Sequence, residues 1–115
     1  MKTLRTLHIP EIEKKAIRLF STEIKKKLGK QILEFKLYGS KVRGNWNKDS
    51  DIDIYLVVKK NSRRKRDIIF GAAEKIFWKY NVDLTPVVWT EYERKINLQL
   101  RSPYFESVAK EGIKI

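Results

Sequence analysis

The chain contains no cysteine and a single histidine, His8. The first absence excludes disulfides, thiol nucleophiles and thiolate metal sites. The second excludes a multi-histidine metal centre or a pair of catalytic histidines. Three prolines and five glycines punctuate 115 residues, so each can be read individually. No apolar run approaches the ~20 residues of a membrane span. The residues after Met1-Lys2-Thr3 lack the apolar core of a secretion signal. Together these absences lead to the expectation of a soluble cytoplasmic protein. Acids are scarce too: 14 Asp and Glu stand against 26 Lys and Arg, a formal charge of +12. That balance favours anionic partners (nucleic acid, nucleotide phosphates or an acidic protein) without choosing among them.

What is present suffices for one packed domain. Hydrophobic residues make up 42% of the chain and aromatics 11%, within the length of a single domain of about 100–150 residues. Residues 1–115 are therefore read as one unit. Residues 10–28 predict an amphipathic helix: Pro10 opens it, Glu11 and Glu13 suit its N-terminus, and Gly29 ends it. Its predicted apolar face is Ile12, Ala16, Leu19, Phe20, Ile24 and Leu28. Residues 32–38 alternate as a strand, with Leu33, Phe35 and Leu37 inward. A loop or short helical turn over 41–50 precedes a strand at 51–58. A second long helix is predicted over 63–80, capped by Asn61 or Ser62, with Ile69, Ala72, Ala73, Ile76, Phe77 and Tyr80 as its stripe. Residues 82–89 read as a third strand, placed at a sheet edge by Pro86. Helices from about 90 and about 103 close the chain. This order predicts an α/β (α+β) fold, a small mixed sheet flanked by helices.

The chemistry concentrates between Leu37 and Val58. Asp51 and Asp53 are two residues apart on a strand, so both carboxylates project from one face. Two such charges repel, and a hard divalent cation such as Mg²⁺ would compensate them. Upstream, Gly39 permits close approach of a phosphate to the backbone, and Ser40 offers a hydroxyl. Gly-Ser, ten residues, then Asp-x-Asp would arise by chance in roughly one chain per thousand. Trp46, between the two halves, either stacks on a base or covers the sheet edge. The run Lys59 to Arg66 places six cations in eight residues, which a bound anion would stabilise.

The pattern resembles the minimal nucleotidyltransferases of the DNA polymerase β superfamily. Gly39, Ser40, Arg43, Gly44, Ser50, Asp51, Ile52 and Asp53 carry the resemblance, and the segment Tyr104 to Ile113 resembles the family's closing segment. The resemblance implies a nucleotidyltransferase fold and a third carboxylate on a neighbouring strand. Asp83, in Val82-Asp83-Leu84-Thr85, is the candidate, ahead of Asp49, Asp67 and Glu74. It further implies that Asp51, Asp53 and Asp83 hold two Mg²⁺ ions and serve catalysis. Gly39, Ser40 and Arg43 would bind the nucleotide, with Lys41 within reach of its triphosphate. The implied reaction moves AMP from ATP to a hydroxyl, a tyrosine of a cognate HEPN-domain toxin, which makes the chain the antitoxin of the pair. Two alternatives stay open. One is a nucleotidyltransferase acting on RNA or a small molecule; the other is a non-catalytic module that binds the toxin or RNA.

Overall fold

The protein is described by a computed structural model over residues 2–115. After a 3-10 turn at Leu4–Thr6, helix α1 spans Glu11–Leu28 and strand β1 Ile32–Tyr38. The one-turn helix α2 covers Ser40–Arg43, and strand β2 follows at Ile52–Val58. Helix α3 (Arg63–Tyr80), strand β3 (Leu84–Thr90), helices α4 (Glu91–Gln99) and α5 (Pro103–Glu111) and the two-residue strand β4 (Ile113–Lys114) complete the chain. The sheet order is β3-β2-β1-β4. Strands β2 and β3 run parallel, joined through α3, while β1 is antiparallel to both β2 and β4. This is the mixed sheet with flanking helices that the sequence predicts, and β3 lies at the edge that Pro86 requires.

Helices α1 and α3 cover one face of the sheet. Ile52, Ile54 and Leu56 of β2 meet Ala16, Ile17, Phe20 and Ile24 of α1 and Ile69, Ala72 and Ile76 of α3 there, all buried. The opposite face is covered only in part. Tyr55 and Val57 pack under Phe105 and Val108 of α5, joined by Tyr38, Trp89 and Tyr104. Because β2 is buried on both faces, its alternation is partly hidden behind a continuous apolar run.

Several expectations need correction. Ile12 and Leu19 are exposed, and Ile17 takes their place in the α1 face. Phe77 is likewise exposed at the C-terminal end of α3. Leu33 points to solvent because the β1–β2 register shifts between Ile32 and Glu34, leaving Leu33 unpaired as a bulge. Strand β3 starts at Leu84, so Asp83 precedes it rather than lying within it. Asp51 similarly stands one residue before β2. Helix α3 is capped by Ser62, whose Oγ accepts from the Lys65 N–H at 3.2 Å.

Candidate active site

Three segments converge at the N-terminal ends of β2 and β3. Tyr38 at the end of β1 is the register partner of Asp53. The Ile52 N–H donates to the Asp83 carbonyl at 3.2 Å, which ties the entrances of the two parallel strands together. Asp51, Asp53 and Asp83 therefore share one corner of the sheet. The carboxylates of Asp51 and Asp83 lie within hydrogen-bonding reach when one of them is protonated.

Gly39 is what allows β1 to turn into α2 beside this corner. Its φ of 94° lies in the left-handed region that favours glycine. A Cβ at this position would overlap Asp53 Oδ2 and stand 3.1 Å from its Cγ. The glycine thus packs directly on the carboxylate, and Ser40 follows as the first residue of α2. The Val42 and Arg43 amides both donate to the Gly39 carbonyl at 3.1 Å. The amides of Ser40 and Lys41 precede the first helical hydrogen bond, and Ser40 is the partly exposed one of the two. A Gly39→Ala variant is expected to lose more than about 2 kcal/mol of stability through strain and overlap. Urea unfolding checks this, and an unshifted midpoint would refute the packing.

The electrostatics of the corner are unfavourable for bare carboxylates. Burial, then the neighbouring charge of Asp51, hold the Asp53 carboxyl above its ordinary pKa, against the opposing pull of Arg43. Asp83, an exposed residue, is raised by partial desolvation, by the charge of Asp51 and by the hydrogen bond with it. Hard oxygen donors that repel one another fit a hard divalent cation, whose charge would reverse both shifts. Among the described residues no group of three or more Asp, Glu or His side chains forms a ready-made cage. The donor chemistry of the carboxylates suits a metal that takes one or two of them and completes its shell with ligand oxygens, as Mg²⁺ does.

Two hollows flank the acids. One, of about 260 Å³, is lined by Tyr38, Gly39, Arg43, Asp53, Val87 and Tyr104. The other, of about 210 Å³, is lined by Glu13, Asp49, Ser50, Asp51, Phe77 and Asp83, among others. Arg43 stands at the rim of the first. It pairs with Glu111 of α5 at 3.7 Å and lies 5.6 Å from the Tyr38 ring centroid. It is half-exposed, and its pair with the equally exposed Glu111 is open to solvent.

Lys41 is placed differently from the expectation. It is 1% exposed, so its ammonium does not reach out to a triphosphate in solvent. Its Nζ sits 3.0 Å from Glu13 Oε1 and 4.0 Å from the centre of the Trp46 ring. Glu13 and Trp46 thereby moor α2 to α1 and to the loop before β2. Trp46 is partly buried against the main core. Asp49 is a turn residue whose N–H donates to Asn47 Oδ1 at 2.9 Å, and Asp67 is an exposed partner of Arg63. Sequence reasoning missed Tyr38, Tyr104 and Glu13 as neighbours of the site. The register of β1 made Tyr38 findable. The other two arrive from distant helices.

A parallel β2–α3–β3 unit, an antiparallel β1 delivering Gly-Ser, and acids at the shared corner define a nucleotidyltransferase domain. The family model of that description matches residues 17–114, and the chain belongs to this family. Two curated proteins of Methanocaldococcus jannaschii are similar over nearly their whole length, and both are named "putative protein adenylyltransferase". One is 31% identical over 87% of this chain and 94% of its own. The other is 24% identical over 95% of this chain and 100% of its own. A crystal structure titled as a putative nucleotidyltransferase from Sulfolobus solfataricus is similar at 24% identity. Its TM-score is 0.42, with 76% of this chain and 81% of that chain covered. Among the described residues, no helix is long and apolar enough to cross a membrane.

Proposed function

We propose that this nucleotidyltransferase moves AMP from ATP to a protein hydroxyl, a tyrosine of a HEPN-domain toxin, and so acts as the antitoxin of that pair in the cytoplasm. The observation that carries the reading is the packing of the Gly39-Ser40 turn onto Asp53, with Asp51 and Asp83 at the same corner. The names of the two Methanocaldococcus relatives support a protein acceptor.

In this reading Asp51, Asp53 and Asp83 would hold two Mg²⁺ ions, which would supply positive charge to the phosphate oxygens. The chain's own residues do the rest. The Ser40 hydroxyl and the first α2 amides hold the terminal phosphates, and Arg43 meets them from the rim. A carboxylate oxygen of Asp83 takes the proton of the acceptor hydroxyl. The acceptor oxygen bonds to the α-phosphorus as the bond from that phosphorus to the bridging oxygen breaks, and pyrophosphate leaves with that oxygen. The aromatic hollow of Tyr38 and Tyr104 offers the adenine a stacking surface.

The test is to incubate the purified chain with Mg²⁺, ATP labelled at the α-phosphate, and the protein encoded beside it. Label on a tyrosine of that protein, absent with an Asp51→Ala/Asp53→Ala chain, is the expected result. No label on the protein overturns the reading. Label appearing on added RNA would move the acceptor to the RNA alternative.

A further inference from the structure

The fold gathers cations at the end of the sheet opposite the acids. Lys59 follows β2, and its N–H donates to the Gln31 carbonyl at 3.0 Å, beside the C-terminal end of α1. Lys65 Nζ reaches Gln31 Oε1 at 3.1 Å. These bonds bring Lys30 and the basic end of α1 against the run Lys59 to Arg66, two stretches far apart in sequence. Lys30, Lys59, Lys60, Arg63, Arg64 and Arg66 are all exposed there. Of these six, Arg63 has a carboxylate within ion-pair distance, the exposed Asp67 at 3.9 Å.

The placement costs the isolated fold. Arg63 to Arg66 fill the first turn of α3, which carries no acid. The helix dipole favours anions there, and like charges this close repel. A bound polyanion reverses both effects. Asp53 lies five β2 residues before Val58, about 17 Å away along the strand. The basic pole is therefore separate from the carboxylate site.

We infer that this pole binds the phosphodiester backbone of nucleic acid. An acidic protein fits less well. The segments Lys59–Arg66 and Gly29–Gln31 contain no apolar side chain, whereas protein interfaces depend on buried aromatic or aliphatic anchors. Arg and Lys interspersed with Asn61, Ser62 and Gln31 are the groups that meet phosphates and sugars. The inference does not depend on which acceptor receives the AMP.

The test is fluorescence anisotropy with labelled single-stranded RNA, duplex RNA and DNA of matching sequence, titrated between about 50 and 200 mM salt. With five or six phosphate contacts, the log–log salt slope on a single strand is expected near −4, at about −0.7 per contact. Arg63→Gln/Arg64→Gln/Arg66→Gln should weaken binding at least tenfold and flatten the slope by about 2. Circular dichroism melting confirms that this variant folds. The Asp51→Asn/Asp53→Asn chain should bind as tightly as the native one. The three nucleic-acid arms identify which form supplies the phosphates. Absence of binding at low salt, a slope unchanged by the arginine variant, or equal competition by poly-glutamate of matched charge would each overturn the inference, the last in favour of an acidic protein.

Discussion

An Asp53→Asn chain is expected to lose about a thousandfold in AMP transfer and yet to melt higher than the native protein in metal-free buffer. The two effects share one cause. Asp53 is raised above its ordinary pKa by burial and by Asp51, so its ionised form is unfavourable in the folded chain. A raised carboxylate contributes stability below the unfolded value of 3.8, and loses it as pH climbs through the folded value. Asn has nearly the same shape and no charge, so it fits under Gly39 without that penalty. The gap in melting temperature between variant and native chain should thus be near zero at the acid end. It should open as pH rises above 3.8. Water around the half-buried group screens the penalty, so the difference in melting temperature is small. If Asp53 holds a metal as proposed, removing its charge would forfeit several kcal/mol of transition-state stabilisation, and about 4 kcal/mol is a thousandfold. Added Mg²⁺ should raise the native melting temperature and leave the variant's nearly unmoved. A variant that melts lower than the native chain and keeps its transfer rate would refute both halves.

That trade between stability and function explains which parts of the molecule the sequence exposes. Asp51 and Asp53 break a run of β-formers in a strand otherwise buried on both faces, so they stand out at once. Gly39 is equally legible, since a strand that ends in Gly-Ser before a short gap must turn sharply. Asp83 stands beside the entrance of β2 but outside the strand predicted to contain it, because Val82 and Asp83 carry strand alternation while the ladder begins at Leu84. Other misjudgements come from tertiary context. Ile12, Leu19 and Phe77 have helical spacing, yet α1 and α3 touch each other and the sheet along narrower stripes, leaving these three side chains in water. Leu33 is displaced by a bulge that no local pattern announces. The two-residue β4 is too short to leave a periodic signal. Lys41 is the deepest surprise. A lysine beside a Gly-Ser turn reads as a solvent or phosphate contact, and only the approach of Glu13 and Trp46 shows that its charge is spent inside the protein.

Glu13 carries the second large effect. A Glu13→Gln chain is expected to lose about 3 kcal/mol of stability, because it leaves the Lys41 ammonium buried and without a counter-charge. Lys41 is 1% exposed, and its remaining neighbour is the face of Trp46 at 4.0 Å. A cation–π contact contributes about 0.5–2 kcal/mol, too little to replace a carboxylate at 3.0 Å. The ion pair is not aligned as a hydrogen bond, since neither Lys41 Nζ nor Glu13 Oε1 has a hydrogen-bond partner among the described residues. Its contribution is therefore mainly Coulombic, and charge removal on one side is the decisive perturbation. The reverse change, Lys41→Met, should cost only about 1 kcal/mol. Glu13 keeps 17% of its side-chain exposure, while the methionine chain packs on Trp46. The double variant Glu13→Gln/Lys41→Met should recover most of the loss, as replacement of a buried ion pair by neutral groups usually does. Urea midpoints at unchanged slope, combined as a double-mutant cycle, measure the coupling directly. A coupling below about 0.5 kcal/mol would mean that solvent screens the pair and that Lys41 does not moor α2. A coupling of about 2 kcal/mol or more would show that the turn holding Ser40 beside Asp53 is fixed from behind by one buried charge pair.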